Sequence, residues 1–264
     1  MREVSVSKIY LKTYCYAPHE IEFIKANLEE CYPFIDKMIV CEFDVNHTGM
    51  KREFQFLDIK DKIADKYLDK FDYHVCSIVD HTVEAYDNEA DIHRVNEPVM
   101  RSWFTKLYDF KDEDIIISVD ADEMIYGEKI EYIIEQVRKH SVVRLKMRQF
   151  FYKKNYLWKN KDFVSPIAAR YARISPSYPN NWRDTGTITP EYVGGHFSWC
   201  MSASAMVHKL HTYSHPRYRS CANKELLEDA IENKKYPFDK GVNFDIEELR
   251  MDDERIPRSM REEK

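Results

Sequence analysis

Two hydrophobic periods alternate along the first 150 residues of the chain. Short apolar runs rich in β-branched residues are typical of buried strands. They occur at residues 4–12, 38–43, 73–79, 115–119 and 142–147. Apolar residues spaced three or four positions apart predict amphipathic helices. This spacing occurs at residues 19–31, 57–71, 97–110 and 127–140. The alternation predicts an α/β fold with a mostly parallel sheet and helices on both faces.

The pattern changes after Gln149. Aromatic residues dominate residues 150–158, a further strand is predicted at 168–174, and helices are predicted at 204–213 and 224–233. We interpret this part as a smaller mixed region of strands and helices. A chain of 264 residues can hold one substantial core. We therefore expect a single domain over residues 1–245, followed by a charged, mobile tail at 246–264.

Acidic residues follow the apolar run at 115–119 directly. Carboxylates at the carboxyl end of a parallel strand lie where open α/β sheets bind their ligands. In an extended chain Asp120 and Asp122 would share one side, with Ala121 pointing away. Because two neighbouring carboxylates repel unless a cation lies between them, we expect a Mg²⁺ or Mn²⁺ site that could bridge a diphosphate. The alternative is a helix cap or a solvated turn, and Glu123 would either cap the next helix or orient a ligand.

Composition narrows the class of protein. The net charge of −6 argues against a general nucleic-acid-binding protein, which would normally carry a basic face. The six cysteines include no Cys-x-x-Cys pair, so we expect free thiols in a reducing compartment. No apolar run approaches the length of a membrane span, and the first eight residues do not form a signal peptide. We therefore expect a soluble, cytoplasmic protein.

Four segments occur in an order and spacing that resembles a known family. They are His19-Glu20-Ile21-Glu22-Phe23-Ile24; Ile39-Val40-Cys41-Glu42 with Thr48-Gly49; the strand that ends in Asp120-Ala121-Asp122-Glu123; and Gly194-Gly195-His196-Phe197-Ser198-Trp199-Cys200 with Lys209 and Ser214-His215. Together they resemble glycosyltransferase family 17, which contains the β-1,4-mannosyl-glycoprotein N-acetylglucosaminyltransferases. The chain departs from the family pattern at His19, where the family has Asn, at Gly195, where it has Trp, and at Pro216-Arg217, where Gln-Glu is common.

This resemblance implies a GT-A fold, which is Rossmann-like, and a nucleotide-sugar donor. It further implies a divalent metal, Mn²⁺ or Mg²⁺, and an inverting transfer to a glycan hydroxyl. UDP-N-acetylglucosamine is the first expectation for the donor, with UDP-xylose and UDP-glucose as alternatives.

The metal is expected at the acidic motif. Asp122 is the first choice of ligand, and Asp120 would contact the metal through water or bind the donor ribose. His196 and His215 are candidates for a third protein ligand or for donors of hydrogen bonds to the diphosphate. For each histidine the alternative is an ordinary packed, hydrogen-bonded side chain.

The donor nucleotide is expected at the ends of the first two strands. Residues that follow the first strand could stack on or hydrogen-bond the uracil: Tyr14, Tyr16 and Glu20. Glu42 ends the second strand, near the expected base or ribose. Arg101 could face the diphosphate, or it could form an intrahelical ion pair with Glu97.

An inverting transfer needs a carboxylate base that deprotonates the acceptor hydroxyl. Asp184 and Glu191 are the candidates, because both lie in the loop that leads to His196. Several cationic and aromatic residues could line an acceptor groove or simply pack in the core: Arg144, Arg148, Tyr152, Trp158 and Trp182. Two other classes remain open, a Mg²⁺-dependent phosphohydrolase with Asp120 as nucleophile and a non-catalytic glycan-binding domain.

Overall fold

The fold is an α/β arrangement of two sheets with flanking helices. A computed structural model describes residues 7–15, 17–81, 93–174, 183–212, 216–239 and 241–262. Its strands are β1 (Ile9–Cys15), β2 (Lys37–Phe43), β3 (Phe71–Cys76), β4 (Ile115–Ser118), β5 (Glu123–Ile125), β6 (Val142–Arg144), β7 (Met147–Phe151), β8 (Tyr156–Phe163), β9 (Ile167–Arg170), β10 (Thr187–Ile188), β11 (Gly194–Ser198) and β12 (Ile246–Glu248). Its helices are α1 (Glu20–Cys31), α2 (Ile59–Lys62), α3 (His93–Ser102), α4 (Ile130–His140), α5 (Ala203–Thr212) and α6 (Lys224–Glu232).

The larger sheet has the order β10-β6-β9-β4-β1-β2-β3 within the described ranges. β4, β1, β2 and β3 are mutually parallel, and β9 runs antiparallel between β4 and β6. Helices cover both faces. Ile24 of α1 and Ile133 of α4 join the core cluster on one face, and Met100 of α3 joins the cluster on the other. The predicted α/β fold with a mostly parallel sheet is therefore confirmed.

The smaller sheet, in the order β12-β8-β7-β11-β5, combines the mixed region expected after Gln149 with β5, which precedes it in the chain. Glycines allow its close packing. A Cβ on Gly194 would lie 2.1 Å from the carbonyl oxygen of Met124, and one on Gly195 would lie 2.9 Å from the ring of Phe150. The aromatic residues of this region fill a core against α5 and α6, so Tyr152 and Trp158 are buried.

Some of the sequence predictions differ from the structure. The segment 57–71 contains only the single-turn α2 and a 3₁₀ turn at Asp65–Lys70, which together bury little apolar surface. The segment 142–147 contributes to two sheets, because the chain crosses from β6 to β7 where the Leu145 amide donates to the Pro166 carbonyl. Glu123 begins the strand β5 and does not cap a helix.

The segment after residue 245, which the sequence predicts as a charged tail, packs onto the smaller sheet. β12 pairs with β8, and Leu249, Ile256 and Met260 are buried. The Tyr126 hydroxyl donates to the Arg255 carbonyl at 2.6 Å. Isolated apolar residues among many charges concealed this packing in the sequence.

Among the described helices, none has the length and apolar character needed to cross a membrane.

Candidate functional site

The acidic motif lies where the chain leaves the larger sheet and enters the smaller one. β4 ends at Ser118 and β5 begins at Glu123, so Asp120 and Asp122 lie in the short connection between the two sheets. The backbone there turns, and the expected alternation of an extended chain does not continue. As a result the two aspartates contact different groups of residues.

Asp120 forms ion pairs with two arginines. Arg101 Nη2 lies 2.7 Å from Asp120 Oδ2, and Arg183 Nη1 lies 2.9 Å from Oδ1. Burial would raise the pKa of Asp120, but the two guanidinium groups outweigh it and hold the pKa well below its usual range. Arg101 also pairs with Glu97 at 2.6 Å, so the intrahelical ion pair that was one of the two predictions for Arg101 is present.

Glu123 is a buried carboxylate behind this pair. Its Oε1 lies 2.6 Å from Arg183 Nη2, and its Oε2 accepts a hydrogen bond from the backbone amide of Asp120 at 2.5 Å. Burial raises the pKa of Glu123 to about 7, and the guanidinium of Arg183 opposes that shift. Glu123 therefore fixes the position of both Asp120 and Arg183.

Asp122 faces the smaller sheet and α5. Its Oδ2 lies 3.3 Å from Lys209 Nζ, and its Oδ1 lies 3.8 Å from His196 Nε2. Lys209 is also held over the ring of Trp199, at 5.1 Å from the ring centroid. The family segment around His196 thus supplies two of the groups that contact or support this aspartate.

Hydrogen bonding assigns the tautomer of His196. The Gln149 side-chain amide donates through Nε2 to the Phe150 carbonyl, so its Oε1 is the acceptor for Nδ1–H of His196 at 2.9 Å. Burial lowers the pKa of His196 to about 4, so the ring is neutral and Nε2 carries a lone pair. That lone pair and the Asp122 carboxylate face each other, an arrangement that a cation between them would stabilise.

The donor chemistry of this pair fits a divalent cation. In the described part of the chain, no group of three or more His, Cys, Asp or Glu side chains is arranged to hold a metal alone. Mg²⁺ commonly takes one or two protein ligands together with water and substrate phosphates. Asp122 and His196 are the two residues that could serve in this way. The other predicted ligand, His215, lies outside the described residues.

Lys12 lies at the base of the site and was not singled out in the sequence. Its side chain is fully buried in β1, and its Nζ has no hydrogen-bond partner among the described residues. The rings of Tyr14 and Phe104 lie 5.2 Å and 5.6 Å from Nζ. Burial lowers the pKa of Lys12 to about 7, although nearby Asp120 opposes the shift. The sequence signal that could have identified Lys12 is a charged residue directly after the apolar residues Ile9-Tyr10-Leu11 of a predicted strand.

The predicted nucleotide residues lie at the ends of β1 and β2. Tyr14 is buried, with its ring near that of His47 at 5.8 Å. Glu20 accepts a hydrogen bond from the Ala17 amide at the start of α1. Glu42 is completely buried and accepts hydrogen bonds from four groups: Arg52 Nη2, the Gln55 amide, the Phe56 amide and the Tyr73 hydroxyl. Tyr16 lies outside the described residues.

The two predicted bases occupy different surroundings. Asp184 is exposed and directly follows Arg183. Glu191 forms an ion pair with Lys129 at 2.7 Å. Lys129 follows β5 whereas Asp122 precedes it, so Glu191 lies at the end of β5 away from Asp122. A cavity of about 850 Å³ surrounds this second position.

A smaller cavity adjoins Lys209, which contacts Asp122. It has a volume of about 430 Å³ and lies between the start of α1 and one face of α5, with Lys209 in its wall. Because Lys209 contacts Asp122, this cavity and the aspartate share a side chain.

Comparison with known proteins gives the class. The sequence model of Glycosyltransferase family 17 matches residues 14–235, which is 222 of the 264 residues. The protein is therefore a glycosyltransferase, and the phosphohydrolase alternative is wrong. The chain belongs to glycosyltransferase family 17, as the four sequence segments predicted. A sugar donor and a glycan acceptor follow from this class.

Structural comparison gives a further match. The crystal structure of 4-diphosphocytidyl-2C-methyl-D-erythritol synthase is similar over 79% of this chain and 100% of that chain, with 13% identity and a TM-score of 0.42. A search of curated proteins found no match.

Proposed function

We propose that this glycosyltransferase transfers a sugar from a UDP-sugar, with inversion and with the help of Mn²⁺ or Mg²⁺, to a glycan hydroxyl. UDP-N-acetylglucosamine is the first choice of donor, with UDP-xylose and UDP-glucose as alternatives. The observation that carries the proposal is the Asp122–His196 pair, in which a carboxylate oxygen and an imidazole lone pair face each other beside three cationic side chains.

The three cations suit a diphosphate. Arg101, Arg183 and Lys209 all lie against the motif carboxylates. A diphosphate that enters the site offers them a second anion, and charge-assisted hydrogen bonds of this kind are short and strong. In that arrangement the cations bind the donor and stabilise the negative charge that develops on the departing UDP.

Asp122 and His196 would hold the metal, with His215 as a further candidate. When bound, the metal supplies positive charge at the leaving diphosphate. Gln149 keeps Nε2 of His196 available as a ligand by accepting a hydrogen bond from Nδ1–H through its Oε1. Asp120, which the two arginines fix in place, is assigned to the donor ribose or to a water on the metal.

The nucleotide is assigned to the ends of β1 and β2, where Tyr14 and Tyr16 would contact the uracil. Glu20, the third residue expected there, lines the smaller cavity beside Lys209, as does Gln55, whose backbone amide donates to Glu42. For the base that deprotonates the acceptor, Asp184 is the better candidate, because Glu191 is already paired with Lys129. Asp184 is exposed and follows a residue that contacts Asp120.

Asp122→Asn tests the proposal. The change keeps the size of the side chain and removes its charge, so we expect loss of Mn²⁺-dependent stabilisation by UDP and at least a 100-fold loss of transfer. Asp61→Asn, at an exposed position on α2, is the matched control. Melting temperatures with UDP, with and without Mn²⁺, and transfer rates are the measurements. Wild-type activity in Asp122→Asn would rule out the assigned metal site.

A further inference from the structure

The cavity next to Lys209 has three walls that come from different parts of the chain. The residues that line it are Ala17, Pro18, His19, Glu20, Gln55, Ala205, His208, Lys209 and Thr212. Its volume of about 430 Å³ lies within the range of roughly 300–1,000 Å³ that is usual for small-molecule sites. The cavity is therefore large enough for a monosaccharide.

The position of the cavity relates it to the reacting bond. Lys209 lines the cavity and lies 3.3 Å from Asp122, and His19, just before α1, lines the same cavity. In a nucleotide sugar, the phosphate that leaves is bonded directly to the sugar ring. If the diphosphate is bound at Asp122 and the three cations, the ring must lie in the space immediately beside them.

We propose that this cavity binds the transferred sugar of the donor, and that His19 and Ala205 determine which sugar fits. The inference rests on the proposed function, because it assumes that the diphosphate binds at Asp122.

The lining suits a sugar ring. Ala17, Pro18 and Ala205 offer apolar surface to the C–H face of a pyranose, while His19, Gln55 and His208 offer groups that hydrogen-bond hydroxyls. Burial lowers the pKa of His19 to about 4, so its neutral ring has one donor and one acceptor nitrogen. Such a ring can donate a hydrogen bond to a sugar hydroxyl or accept one from it.

The wall that contains Gln55 is built by Glu42. The Glu42 carboxylate accepts hydrogen bonds from the backbone amides of Gln55 and Phe56 at 2.7 Å and 3.0 Å. It also pairs with Arg52 at 2.8 Å. A buried carboxylate at the end of β2 therefore fixes the loop that closes the cavity opposite α5.

Two substitutions that fill the cavity from opposite walls test the inference. Ala205→Trp places an indole ring in the cavity from α5. Gln55→Trp places one from the opposite loop, and because Gln55 is exposed, we expect little effect on folding. Leu226→Trp, on an exposed position of α6, is the control for adding an indole. The probes are UDP alone and the panel UDP-N-acetylglucosamine, UDP-xylose and UDP-glucose, each with Mn²⁺. Dissociation constants and melting temperatures are measured for every variant.

We expect both cavity variants to bind UDP within about twofold of wild type. Their affinity for the preferred UDP-sugar should fall at least tenfold, and Leu226→Trp should match wild type throughout. His19→Asn should change the ranking of the three sugars while UDP affinity stays constant.

Equal losses for UDP and UDP-sugar would overturn the inference, because the cavity would then serve the nucleotide. Unchanged UDP-sugar affinity would also overturn the inference, even if the KM for the acceptor rises in the same variants. If wild-type protein binds no uridine nucleotide with Mn²⁺, the proposed function itself fails, and this outcome is visible before any variant is compared.

Discussion

Lys12 shows how the site is stabilised at the scale of single residues. A buried ammonium without a hydrogen-bond partner is unfavourable, and the lowered pKa of about 7 follows from that burial. An unfolded lysine titrates near 10.4. Between these two pH values the unfolded chain binds one more proton than the folded protein at this residue, so its contribution makes stability rise with pH.

Lys12→Met is therefore expected to stabilise the protein. Replacing a buried charge with an apolar side chain of similar length commonly raises the free energy of unfolding by roughly 1–4 kcal/mol. The gain should be larger at pH 7 than at pH 9.5. At pH 9.5 the buried lysine destabilises the wild-type protein less, because the pH is closer to the pKa of lysine in the unfolded chain. Urea denaturation at the two pH values measures it.

Lys8→Met is the control for Lys12→Met, because Lys8 is exposed just before the same strand. A Lys12→Met protein that is less stable than wild type at both pH values would mean that the ammonium has a stabilising contact.

Arg183 and Glu123 illustrate why side-chain partners are hard to find in a sequence. They lie 60 residues apart, yet Nη2 of Arg183 contacts both carboxylate oxygens of Glu123 in a buried pair. Asp120 and Asp122 were found because a carboxylate pair at a strand end has a recognisable local pattern. Arg183 has no such pattern, because it lies in a loop without hydrophobic periodicity. Its partner depends on how β9 and β10, on either side of that loop, join the sheet.

At the scale of elements, the segment after residue 245 is held by a few apolar contacts. Ile256 and Met260 pack with Phe23, Met124 and Phe197, behind the strand that carries His196. Ser259 and Gly127 both donate backbone hydrogen bonds to the Glu30 carboxylate, which joins this segment to α1 and the turn after β5. The segment therefore supports the strand from which His196 reaches Asp122.

Ile256→Ala tests this packing. Removing a fully buried isoleucine side chain is expected to lower the free energy of unfolding by about 2–5 kcal/mol. Arg250→Ala, at a side chain that is 80% exposed, should change it by less than about 0.5 kcal/mol. Chemical denaturation of both proteins gives the comparison. Equal stabilities would instead support the mobile tail that the sequence predicts.

The helix predicted at 57–71 shows why some elements could not be predicted correctly from the sequence. Its charges and isolated apolar residues fit a helix on the surface, but a short helix needs an apolar face to pack. Ile59 is buried while most of the neighbouring residues are exposed, so the chain forms only α2 and a 3₁₀ turn. By contrast, α1, β2 and α4 carry strong periodic patterns, and they were predicted almost at their observed bounds.

At the scale of the whole molecule, parallel-sheet topology followed from the order of the elements. The division into two sheets did not, because the segments 142–147 and 115–125 contain no marker for the point at which the chain changes sheets. The site lies at one of those crossings. Sequence therefore located the acidic motif, while the groups that surround it depended on how the two sheets pack together.

The division of the two aspartates between the sheets has a consequence for heating. Asp120 is fixed by Arg101 of α3 on the larger sheet, whereas Asp122 is next to His196 of β11 and Lys209 of α5. A slip of one sheet against the other would separate the two aspartates and break the Arg183 pairs with Asp120 and with Glu123 of β5, so we expect the site to lose its geometry before either sheet melts. Transfer activity should thus be lost several degrees below the transition seen by circular dichroism, and recover on cooling.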